Sequence, residues 1–141
     1  MCPSANAHKR QLVRSLNARP ALLPLLIQDP NPKVRAAAIL EAGWSGRRGS
    51  ERLIGIALLR DPDPNLREYA AGALARLGGA EAIKALNAGV ADPVLEVRVL
   101  SLAALLSLGQ SVDPKVRARL DEEALATGKR TSTSWLLSLQ M

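Results

Sequence analysis

The phrase DPNPKVR at residues 29–35 returns as DPDPNLR at residues 61–67 and as DPVLEVR at residues 92–98. Its arginines stand at 35, 67 and 98, so the chain repeats with a period of 32 and then 31 residues, the span of one helical hairpin with its turns. Each copy also places a glycine twelve residues after the apolar residue that precedes its arginine: Val34 and Gly46, Leu66 and Gly78, Val97 and Gly109. A start signal and a stop signal therefore recur in step.

Working outward from the phrase, Asn31 with Pro32 and Asp63 with Pro64 each supply an N-cap side chain followed by a residue whose φ is already helical. Behind them, Leu66, Ala70, Ala73, Leu74 and Leu77 fall on one helical face, as do Val97, Ser101, Ala104, Leu105 and Leu108. The small residues Ala70, Ala73 and Ala104 on that face permit close helix approach. Glycines 78 and 109 then end the helices in a conformation that side chains resist. Second helices are predicted over 50–59, 80–90 and 114–126. One such hairpin cannot bury its own apolar face, but stacked hairpins share a continuous core. The expectation is an all-α fold: an α-solenoid of about four stacked hairpins in a single domain over 1–141. It comprises a degenerate N-terminal hairpin at 8–27, repeats at 31–60, 63–91 and 93–127, and a capping helix at 132–140. Polar stretches at 8–11 and 129–134 suit the solvent-facing ends of such a stack.

Phrase, Ala/Leu helix and glycine on this period resemble the HEAT-repeat family, most closely the short-period repeats of phycobilisome (bilin) lyase subunits and bacterial scaffold proteins. The resemblance spans roughly residues 29–126. It implies that Asp29, Asp61 and Asp92 with Arg35, Arg67 and Arg98 form a structural ladder along the turns, a role without catalysis. The second unit departs from the pattern, with Glu41 and Ser45 where the next two units have Ala and Leu, and with Trp44, Arg47 and Arg48 enlarging its interhelical turn.

Composition narrows the function classes. A chain of 141 residues, 48% hydrophobic and 23% charged, has enough aliphatic residues for a folded domain, which argues against disorder. The apolar run at 21–27 is broken by Pro24 and is far shorter than the roughly 20 residues a membrane span requires. With no secretory signal pattern at its start, the default compartment is the cytoplasm. Cys2 and His8 are the single cysteine and histidine, too few for a zinc site, and neither has the orienting partners catalysis demands. No glycine-rich phosphate loop or nucleophile–base pair occurs, so neither an enzyme acting alone nor a cofactor or metal is expected. The recurrence of the Asp and Arg residues in every unit assigns them to capping and inter-repeat hydrogen bonding, because an active site occurs once.

Charge is uneven. Residues 1–60 carry ten Lys/Arg and three acids, while residues 61–141 carry nine and ten. That electropositive N-terminal half would attract an acidic protein surface. The expected function is an interaction scaffold or adaptor whose second-helix face binds a protein partner through Trp44, Arg47, Arg48, Arg52, Lys84, Asn87 and Arg119. Trp44 leads because Trp and Arg dominate interface hot spots. Two alternatives follow from the resemblance: a subunit of a bilin lyase or other chromophore-attachment factor, and a nucleic-acid-binding protein in the style of the alkylated-base glycosylases. The aromatics Trp44, Tyr69 and Trp135 are few for base stacking, which weakens the nucleic-acid reading. Trp135, followed by three leucines, is expected to staple the last helix to the solenoid.

Overall fold

The structure, a computed structural model, describes residues 22–127. They form α1 (Leu23–Ile27), α2 (Pro32–Trp44), α3 (Glu51–Arg60), α4 (Pro64–Leu77), α5 (Gly79–Gly89), α6 (Leu95–Ser107) and α7 (Pro114–Ala126), with no strand among the described residues. The helices α3, α5 and α7 begin and end within one residue of the spans predicted for second helices. Of the expected hairpin at 8–27, its last turn is α1. Cys2, His8, the stretch 129–134, the capping helix and Trp135 lie outside the described residues.

The repeated phrase builds the same start each time. The first aspartate turns its carboxylate back onto the amide two residues on, Asp29 to Asn31 at 2.8 Å, Asp61 to Asp63 at 3.0 Å and Asp92 to Val94 at 2.8 Å. Asn31 then accepts the Lys33 amide and Asp63 the Asn65 amide, while proline occupies the first turn. Such a cap stabilises a helix by about 1 kcal/mol. The third copy has Val94 in the cap place and relies on Asp92 instead. At the other end, Gly78 has φ +66° and donates its amide to the Leu74 carbonyl at 2.8 Å, where a Cβ would be strained. Gly46 and Gly109 share that positive φ.

Helices α2, α4 and α6 stack as one layer, the A layer, and α3 and α5 as another, the B layer. Helix α1 packs on α2 and touches α3, so it occupies the B place ahead of α3. The core runs between the layers through Ile39, Ile54, Leu58, Leu74, Leu86, Val97 and Leu105, each 1% exposed or less. The hairpin read from sequence is not the tightest pair. α3 packs much more closely on α4, across the short turn at Asp61, than on α2, and α5 likewise favours α6 over α4. The long 45–50 turn spaces α3 from its own partner, whereas the Asp-Pro turn at 61–63 leaves three residues between α3 and α4.

One local expectation is corrected. Trp44 is the last residue of α2 and not part of the turn, because Ser45 caps the helix by donating its hydroxyl to the Glu41 carbonyl at 2.8 Å. Gly43 is buried within α2, where a Cβ would stand 2.8 Å from the Ala73 Cα.

Candidate interaction surfaces

The ladder residues come together along the Asp-Pro edge. Arg35 sends Nε and Nη2 to the two carboxylate oxygens of Asp61 at 3.0 and 3.3 Å, and Arg67 does the same to Asp92 at 2.9 and 3.2 Å. The remaining nitrogen, Nη1, turns back to the carbonyl of its own phrase, Arg35 to Asp29, Arg67 to Asp61 and Arg98 to Asp92. Asp61 and Asp92 thus each serve their own arginine through the carbonyl and the preceding arginine through the carboxylate. With side chains 12% and 4% exposed in the first pair, these forks are largely removed from water and join one repeat to the next. They brace the stack. The third rung changes its acid. Arg98 reaches Glu123 on α7, a residue 31 positions after Asp92 and so at the ladder place.

The residues expected to bind a partner fall on different parts of the molecule. Arg52, Lys84 and Asn87 are exposed on the B layer, Arg52 on α3 and the other two on α5. Asn87 folds its amide onto the Ile83 carbonyl of its own helix. Arg48 is exposed in the 45–50 turn and Arg47 is partly buried there. Arg119 is exposed on α7, which packs on α6.

Trp44 stands at the end of an A-layer helix, 67% exposed. Its ring carries the guanidinium of Arg76 from α4, 3.5 Å from the ring centroid. Arg76 went unnoticed in the sequence, although it lies 32 residues after Trp44 and hence at the same place of the next repeat.

The sequence reading also missed the apolar part of the B face. On α3, Ile54, Ala57 and Leu58 point inward, so the opposite stripe is Arg52, Ile56, Leu59 and Arg60. Ile56 and Leu59 are 46% and 51% exposed between two arginines. A recess of about 320 Å³ opens beside them, lined by Pro24, Ile27, Leu53 and Ile56, by Arg60, and by the ladder residues Asp29, Arg35 and Asp61. The spacing was visible, but the run LIGIALL from residue 53 to 59 reads as core on every side until its neighbours are known.

Among the described residues no group of three His, Cys, Asp or Glu is placed to hold a metal ion, and no helix is long and apolar enough to cross a membrane. A family model described as HEAT repeats matches residues 19–107 and again, overlapping, 56–136. Neither the curated proteins nor the solved structures contain a significant match to the chain.

Proposed function

The chain belongs to the HEAT-repeat family, whose stacked helices commonly offer extended binding surfaces, and from that membership we propose that it is a non-catalytic adaptor holding an acidic protein partner on its B layer. One observation carries the reading: Ile56 and Leu59 stand exposed inside a frame of Arg52 and Arg60, with Lys84 and Asn87 on the adjoining α5. Apolar anchors with a basic rim suit a partner whose apolar residues are bordered by carboxylates. Desolvating the two aliphatics supplies affinity, and the rim steers and orients the encounter.

The test is capture from nuclease-treated lysate, comparing wild type with Arg52→Glu/Arg60→Glu/Lys84→Glu. All three residues are exposed, so the variant should fold as wild type does. A partner retained in stoichiometric amount, weakened by salt and lost in the variant, is the expected result. Material that disappears with nuclease would instead favour the nucleic-acid reading. Transfer of a bilin from this chain to an acceptor protein would favour chromophore attachment.

A further inference from the structure

A glycine inside a helix costs about 1 kcal/mol relative to alanine, so each one calls for a reason. At Gly43, Gly55 and Gly89 the fold provides it. A Cβ there would lie 2.8 Å from Ala73, 3.1 Å from Ala85 and 2.3 Å from the Ser101 hydroxyl. Gly72 of α4 has no such neighbour. It is exposed, its φ is not positive, and a Cβ added to it would meet nothing within 4 Å. Neither packing nor backbone conformation requires glycine there.

What Gly72 does is open a groove. Between α4 and α6 lies a trough of about 290 Å³ floored by Gly72, Ala75 and Ala103, walled by Leu100 and closed at one end by Arg76 and Ser107. No residue of α3 or α5 lines it, so it belongs to the A layer and is separate from the basic face above. The surrounding face mixes aromatic and aliphatic residues with polar ones. Along α4 the solvent stripe is Asn65, Tyr69, Gly72 and Arg76, and one period earlier the matching places after Lys33 are Ala37, Leu40 and Trp44. Tyr69 and Trp44 are 42% and 67% exposed.

We infer that this groove receives an amphipathic helix of a partner protein, its apolar stripe laid over Gly72 and Ala103 and a carboxylate near its end held by Arg76. The trough between two parallel neighbours is the place where a third helix packs ridge into groove, and a floor of glycine and alanine lets its backbone come close. Charge selects the sign of the occupant. Arg76 stacks on Trp44, which fixes the plane of its guanidinium while leaving the in-plane N–H fork open. Among the described residues no carboxylate forms an ion pair with it. A pre-oriented fork with no acid of its own fits a carboxylate bidentately. With the B face, this second surface gives the adaptor two sides.

The full chain is panned against a displayed library of random peptides about 16 residues long, roughly four helical turns, with depletion on Gly72→Leu. That variant adds a better helix former into open space, so its Tm should equal or exceed wild type. Enriched peptides should carry apolar residues at helical spacing with Asp or Glu towards one end. They should bind Gly72→Leu and Arg76→Gln about tenfold more weakly than wild type, and Arg52→Glu/Arg60→Glu/Lys84→Glu unchanged, which separates this site from the B face. The inference is overturned if no peptide distinguishes wild type from Gly72→Leu, or if the selected peptides bear Lys or Arg in place of the acid. It is equally overturned if Gly72→Leu converts a dimer to a monomer, which would make the groove a contact between two copies of this chain.

Discussion

Asp61 holds three segments at once. Its carboxylate receives the Arg35 fork and the Asp63 amide, and its carbonyl receives Arg67. Removing that carboxylate strands a guanidinium that is 12% exposed and uncaps the α3–α4 turn. Asp61→Ala should therefore destabilise by about 3 kcal/mol in urea unfolding. Glu123 stands at the same ladder place, but its side chain is 40% exposed, and water screens it. Glu123→Ala should cost less than about 1 kcal/mol. Equal losses at the two sites would show that burial does not set the strength of these rungs. The ladder residues were legible from their recurrence, but the pairing was not. Each arginine has an aspartate six residues before it, yet takes only that residue's carbonyl and pairs with the carboxylate that stacking brings over from the following unit.

Helices α2 and α4 touch where Gly43 meets Ala73, and the same substitution in these two neighbours should have opposite signs. Gly43→Ala places a Cβ 2.8 Å from backbone that cannot rotate away, for an expected loss of about 1 to 3 kcal/mol. Gly72→Ala meets open space and gains helix propensity, for an expected rise of about 0.5 to 1 kcal/mol. Thermal unfolding of both variants decides it, and a loss at Gly72 would mean that glycine serves the fold after all. Nothing in the local sequence marks which of the two is packed, since both lie in first helices directly after an alanine. Helix α7 teaches a related lesson. Its head, DPKVR at 113–117, repeats the phrase that starts A-layer helices, and Asp113 accepts the Lys115 amide as Asn31 accepts that of Lys33. The helix nevertheless occupies the place of a second helix, packed on α6. Cap chemistry decides where a helix begins and is silent on the layer it joins.

Stability in a stack of repeats is spread unevenly, because each helix is held by its immediate neighbours. Helix α4 is enclosed by α2, α3, α5 and α6, whereas α7 buries Leu120 and Ala124 and packs chiefly on α6. Native-state hydrogen exchange should accordingly be slowest in α4 and at least about tenfold faster in α7. Uniform protection would indicate one cooperative unit instead of a graded stack. The period, the Asp-Pro starts and the helix-ending glycines were enough to establish an all-α solenoid and the bounds of its second helices, since caps, backbone preferences and apolar spacing all act within a few residues. Three features arose from packing across the repeats: the close α3–α4 pair, the exposure of Ile56 and Leu59, and the Trp44–Arg76 stack beside an open groove. They join residues brought together by the rotation and spacing of one helix against another. A one-dimensional pattern carries those quantities only through the summed shapes of the side chains between them.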